Sequence, residues 1–150
     1  MKDNAKFFPL GDELQIWVRQ RLELLAEYYS SLDVPMSNPV CAKSLDELWV
    51  AWKAAGITDS KAIDSFLNCF GIGFGQLLID DLGFEWAYLE DEYGTDIAVR
   101  ALPGTADTRI APLHFVLRRW ESNEGRYVEA ALDQVDALVD EHAADHGVIR

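Results

Sequence analysis

The sequence predicts an α+β fold in which a small antiparallel sheet, a hairpin with a third strand beside it, packs against about five helices. Three observations carry this expectation. Apolar residues recur at helical spacing through most of the chain, the period drops to two at Phe84, and glycine or proline marks most changes of element. With 150 residues, nearly half of them apolar, the chain is one domain long and has enough bulk to build a core without metal or disulfide support.

The elements follow in order. Asp12 and Gln15 have capping-box spacing, and Leu14, Trp17, Val18, Leu22, Leu25, Tyr28, Tyr29 and Leu32 then recur on one face, so a first helix is expected over 12–32. Pro35 and Pro39 disfavour helix and make 33–39 a crossing loop. Ser44 and Glu47 repeat the capping-box pattern ahead of Leu48, Trp49, Trp52 and Ala55, with Gly56 as a stop, giving a helix over 45–55. Thr58 or Asp59 caps a third helix over 59–82, whose apolar face runs through Ile63, Phe66, Phe70, Phe74 and Leu77 to Gly83.

From Phe84 the alternation sends Trp86 and Tyr88 to one face and Glu85, Ala87 and Leu89 to the other. Antiparallel strands are expected within 84–111: the first ends in a turn over 90–94, where Gly94 takes a positive φ, and the chain returns through Ile97 and Val99. Pro103 and Gly104 turn it again before a brief strand at 109–111. Pro112 suits the first turn of a helix over 113–122, and a last helix over 126–145 places Val128, Leu132, Val135, Leu138 and Val139 on one face.

Charge narrows the function. Thirteen basic and twenty-six acidic side chains leave a net charge of −13, which repels phosphate backbones and anionic headgroups, so neither nucleic acid nor a membrane surface is an expected partner. Residues 61–98 hold eight acidic side chains and one basic, the most acidic part of the chain. Two cysteines, no leader and no uninterrupted apolar run of membrane-spanning length place the expected location in the cytoplasm.

No catalytic signature stands out. Gly71, Gly73 and Gly75 lack the spacing of a dinucleotide loop and precede a strand instead of following one; Gly71 and Gly75, four apart, instead thin one helix face for close packing. Asp80, Asp81, Glu85, Glu90, Asp91, Glu92 and Asp96 supply oxygen ligands but not in the order of a calcium loop, and read as a solvated acidic turn. His142 and His146 stand one helical turn apart without further ligands nearby. His114 with Arg100, Arg109, Arg118 and Arg119 forms either a small anion patch or, preferably, partners for the acidic hairpin. No cofactor, metal or catalytic residue is expected, and Trp49, Trp52, Trp86 and Trp120 read first as core.

The order Gly71-x-x-Phe74-Gly75, Leu82-Gly83-Phe84-x-Trp86, Asp91-Glu92-Tyr93-Gly94-Thr95 and Ala98-Val99-Arg100 resembles a family of bacterial domains of unknown function. In that family a G-x-x-[FL]-G helix leads to an L-G-x-x-W strand, a D-E-Y-G turn and a proline-initiated segment with a basic pair, matched here by Pro112, Arg118 and Arg119. The likeness spans about residues 65–122. It implies a bacterial source and a compact α+β unit, and supplies no activity, cofactor or catalytic residue.

The leading expectation is therefore a non-enzymatic interaction module, similar to immunity proteins and secretion chaperones in charge and size only, that meets a basic protein through Glu90, Asp91, Glu92, Tyr93, Asp96 and Arg100. Gly71, Gly75, Gly83, Trp86 and Gly94 are expected to be structural. The competing expectation is a small-molecule or metal-dependent enzyme or sensor with a pocket between the glycine-bearing helix and the sheet, using Glu85, Asp91, Arg100 and His114. A homo-oligomer formed through the tryptophan-bearing second helix or a sheet edge is a third.

Overall fold

The computed structural model describes residues 6–37, 39–92, 94–101 and 109–145. The order of elements is β1 (Lys6–Phe8), α1 (Asp12–Ser31), α2 (Ala42–Ala54), α3 (Ser60–Leu82), β2 (Glu85–Asp91), β3 (Gly94–Arg100), β4 (Arg109–Ile110), α4 (Pro112–Glu121) and α5 (Val128–Asp145). The α+β expectation holds, with one antiparallel sheet in the order β1-β2-β3-β4. The extra strand is β1, in a stretch ahead of the first helix for which no element is expected. Three residues are too short to show alternation, and β1 exists because Phe7 and Phe8 pair with Leu89 and Tyr88 of β2.

Two helix starts differ from the expected capping boxes. The N-cap of α1 is Gly11, not Asp12, and Gln15 turns its side-chain amide to the Leu10 carbonyl at 2.8 Å. Helix α2 begins three residues earlier than expected. Its N-cap is Cys41, and Ser44, expected to be the cap, is instead the third helical residue whose hydroxyl accepts from the Cys41 N–H at 3.3 Å. For α3 the cap is as expected: the Asp59 carboxylate accepts from the Ala62 N–H at 2.9 Å, and Gly83 closes the helix at φ +74°.

Helix α3 is the axis of the molecule. It is buried around most of its circumference, with Cys69 and Ile72 inside as well as the expected stripe, and it touches α1, α2, α4, α5, β2 and β3. By length and composition it alone among the described residues is long and apolar enough to cross a membrane, although Asp64, Asn68 and Gln76 interrupt its apolar run and most of it is buried in the fold. Its glycines stay inside the helix and set how closely neighbours approach. A Cβ on Gly71 would sit 2.9 Å from Leu113 Cδ2 and 3.1 Å from Leu113 Cα; one on Gly75 would sit 2.5 Å from the Trp86 ring. Thus α4 and β2 dock on the glycine face, as the four-residue spacing implied.

The tryptophans are packing groups. Trp49 is fully buried, with its ring against Phe70, Trp120 and Tyr127 at centroid distances of 5.1, 5.7 and 4.9 Å, and Trp52 stacks on Phe66 at 4.2 Å. Such pairs add about 0.5–1.5 kcal/mol each beyond their burial. Because both rings of α2 are spent in this way, α2 offers no tryptophan surface for a symmetric contact. On α5, Val128, Val135 and Val139 are buried as expected, whereas Leu138 is exposed and Ala131 takes its place inside.

A buried acid ties α2 to α5. Asp46 is 2% exposed, and its carboxylate accepts from the backbone N–H groups of Tyr127 (2.9 Å), Val128 (2.8 Å) and Glu129 (3.1 Å). It therefore caps α5 from another helix, occupying donors that a helix N-terminus leaves unsatisfied and matching the positive end of its dipole. Next to it the Trp49 indole N–H donates to the Glu124 carbonyl at 2.9 Å.

Candidate functional site

The acidic residues that are neighbours in sequence separate into two groups. Asp80, Asp81 and Glu85 lie where α3 passes into β2, and Glu90, Asp91, Glu92 and Asp96 lie at the hairpin tip. Strand rise puts about 20 Å between the two ends of β3. Glu85 pairs with Arg100 at the far end of the ladder, while Asp91 pairs with Gly94 at the tip, so Arg100 does not join the acidic turn. Its guanidinium lies 4.0 Å over the Phe7 ring instead. Arg119 likewise packs over Phe115 at 3.9 Å and pairs with Glu124 at 3.6 Å, so the expected pairing of the basic residues with the hairpin does not arise at these two positions. The four groups expected to line a pocket against the glycine-bearing helix are divided between opposite ends of the sheet, and the glycine face is filled by Trp86, Pro112 and Leu113. Tyr93, Pro103, Gly104 and His146, and the side chain of His142, lie outside the described residues.

What the tip does have is a short strand edge, exposed at Gly94 and Thr95 and buried from Ile97 to Val99, with a hollow on each side of it. The β2–β3 connection is two residues long, so Asp91 and Gly94 form the bonded pair that closes it, and bonded pairs then alternate through Leu89–Asp96 and Ala87–Ala98. Thr95, Ile97 and Val99 therefore turn their N–H and C=O groups away from β2. At Val99 these face β4, through its pairing with Ile110. Continuing that register sets Pro112 opposite Ile97, and proline has no N–H to give; α4 starts there, with Pro112 in its first turn. Beyond this point no strand among the described residues lies beside β3. The Ile97 N–H is taken up by the carboxylate of Asp96, at 2.8 Å.

One cavity, of about 440 Å³, lies beside this edge on the face of Leu89 and Asp91, bounded by Thr95, Asp96 and His114. A second, of about 350 Å³, opens on the helical side, between Asp64 and Asn68 of α3 and His114 and Leu117 of α4, again reaching Asp96. Asp96 also borders a third, of about 390 Å³, between α1 and the sheet. Both edge cavities have volumes typical of ligand sites. Their ionisable lining consists of Asp64, Asp91, Asp96 and His114, and among the described residues no three metal-ligating side chains come close enough together to hold an ion.

Asp96 is half-buried, and burial raises its pKa above the ordinary aspartate range; the Ile97 N–H and His114 pull it down and Asp91 pushes it up. A carboxyl whose folded pKa is raised contributes stability below its unfolded pKa, and that contribution is lost as pH rises through the folded value. Ionised Asp96 is thus a cost to the fold at neutral pH. Asp96→Asn, which keeps an oxygen for the Ile97 N–H, is expected to melt higher than the wild type at pH 7. The difference should shrink towards pH 4, as read by thermal denaturation at the two pH values.

Glu90, Asp91, Glu92 and Asp96 all lie at the hairpin tip, but of these only Asp91 and Asp96 line the cavities, and sequence reasoning did not include Asp64 and Asn68. Their signal was present: they are four apart on α3, and three residues before Gly71 the second of them marks the same face that meets α4. His114 was expected either in the pocket against the glycine-bearing helix or with the basic residues beside the acidic hairpin, and the structure puts it at the hairpin tip, bordering both cavities with Asp96.

Comparison places this arrangement among known folds. No curated protein matches the sequence. A crystal structure of a protein from Bacteroides thetaiotaomicron superposes with a TM-score of 0.65 at 14% identity, covering 89% of this chain and 47% of that one. The likeness is one of fold, and the chain spans about half the length of that protein. The sequence itself matches over residues 45–130, from the start of the Asp46 clamp to just past its last donor and including both edge cavities' linings. The matching model is that of DUF3806, a domain of unknown function, and the chain belongs to this family.

Proposed function

We propose that this chain is a non-catalytic binding module of the bacterial cytoplasm that recognises a basic protein through the acidic end of its β2–β3 hairpin. The observation that carries the reading is the pair of cavities flanking the β3 edge, each lined by carboxylates and sharing Asp96. Carboxylates spaced too widely to chelate an ion suit larger organic cations, the ammonium and guanidinium groups of lysine and arginine, which each carboxylate meets singly. The net charge of −13 favours the same partners by long-range attraction. Keeping Asp96 ionised at a cost to the fold is in line with a residue retained for binding.

The test is affinity purification of the full chain from its native host beside the triple variant Glu90→Lys, Asp91→Lys, Asp96→Lys. A basic protein recovered with the wild type should be lost with the variant and should dissociate as salt is raised. Equal recovery of the same partner by both chains would show that the acidic tip is not the site.

A further inference from the structure

Resting on that reading, we infer that the hollow between α1, the sheet and the start of α4 takes an arginine side chain of the partner protein. The walls of this cavity, of about 390 Å³, are Leu14 and Trp17 of α1, Tyr88 of β2, Ile97 of β3 and Leu113 of α4. Its only ionisable lining besides the tyrosine is acidic, from Glu13 and Asp96. Tyr88 and Ile97 are partners in the β2–β3 ladder and stand on the sheet face that packs with Leu14, Trp17 and Leu113. Ile97, 5% exposed, closes the base, whereas Leu14, Trp17, Tyr88 and Leu113 are half-buried and keep part of their surface on the hollow. Apolar and aromatic walls with an acidic lining match a ligand that has an apolar stem and a cationic head. The volume is at the small end of the range for ligand sites, which suits one long side chain better than a cofactor.

Arginine fits better than lysine because its planar guanidinium lies flat on aromatic rings and is more weakly hydrated than an ammonium. The chain uses that contact internally: Arg21 lies 5.0 Å from the centroid of Trp17 itself, and Arg100 and Arg119 lie 4.0 and 3.9 Å over Phe7 and Phe115. Arg21 comes one helical turn after Trp17, and Glu13 and Leu14 come one turn before it, so the cavity meets the ring from the end away from Arg21. There Glu13 and Asp96 supply carboxylates from two different elements, and a cation beside Asp96 offsets the burial that raises its pKa. Because Asp96 also lines the two cavities at the hairpin tip, the pocket is continuous with the acidic surface that draws the partner in.

The probes are the capped peptides Gly-Arg-Gly, Gly-Lys-Gly and Gly-citrulline-Gly, titrated into the full chain while the Trp17 indole N–H is followed by NMR. Citrulline keeps the length and shape of arginine without its charge. The arginine peptide is expected to shift the Trp17 signal to saturation, with the lysine peptide binding several-fold more weakly and the citrulline peptide about ten-fold more weakly or worse. Glu13→Lys, a change at an exposed position, should weaken the arginine peptide by about ten-fold as well. Equal binding of arginine and citrulline, of arginine and lysine, or of wild type and Glu13→Lys would each overturn the inference. Arginine binding that leaves Trp17 unshifted and is lost in the double variant Glu90→Lys, Asp91→Lys would overturn the pocket and leave the acidic hairpin standing. If the arginine peptide does not bind, the pocket is overturned, and the wider reading is decided separately by the purification from the native host.

Discussion

Asp46→Ala is expected to lower the stability of the fold by about 3–4 kcal/mol and its melting temperature by about 10 °C, the largest loss from any single polar side chain described. Ordinary N-caps are worth roughly 0.5–2 kcal/mol. Asp46 stands above that range because its carboxylate is almost wholly buried and holds three N–H groups, at 2.8–3.1 Å, that no other group is placed to receive. Each buried donor left unsatisfied costs about 1–3 kcal/mol, with partial relief where water enters. A protein of this size loses roughly 2–4 °C per kcal/mol. Asp46→Asn keeps one acceptor oxygen without the charge and should lose about half as much. Urea denaturation of the three proteins measures the series, and a loss below about 1 kcal/mol for the alanine variant would mean that α5 does not depend on this cap.

The second large effect is expected at Gly71. A valine there would gain a little helix propensity over glycine but would drive its Cβ to within 3.1 Å of the Leu113 Cα and 3.2 Å of the Pro112 carbonyl oxygen, backbone that cannot swing aside as a side-chain tip does. Overpacking of this kind costs about 1–3 kcal/mol, so Gly71→Val should destabilise by about 2 kcal/mol net. It should also displace the start of α4. Since His114 is the third residue of that helix and lines both edge cavities, the variant is expected to shift the His114 ring resonances and impair binding at the hairpin tip. Gly73→Ala is the comparison, because its new atom would meet side chains and no backbone, Leu25 Cδ2 at 2.5 Å and Leu45 Cδ2 at 3.6 Å. Equal effects from the two substitutions would show that α4 is not held in place by the absence of a side chain at Gly71.

Much of this was legible in the sequence where the signal was local. The change of period at Phe84 located the hairpin, the four-residue glycine spacing on α3 implied close approach, and Pro112 marked the start of α4. What was hidden depended on residues distant in the chain. β1 is three residues held by pairing with β2, so nothing within Lys6–Phe8 announces it. Cys41 is an uncommon N-cap, and Ser44 drew the expected start of α2 to itself. Nothing near Asp46 in the sequence announces its burial, because the donors that justify it lie more than eighty residues away. Arg100 looked close to the acidic turn by sequence number, but every residue of an extended strand adds about 3.4 Å, and the ladder carried it to the other end.

The clamp between Asp46 and α5 has a consequence for how the chain reaches this state. Joining residues 81–83 positions apart costs on the order of 4 kcal/mol in loop-closure entropy, a cost that local helices and the hairpin do not bear. The helices and the β2–β3 ladder assemble from near neighbours, so the clamp closes after them and contributes little to the barrier for folding. Its weight falls on the reverse step: it governs how long the native molecule lasts, not how quickly it forms.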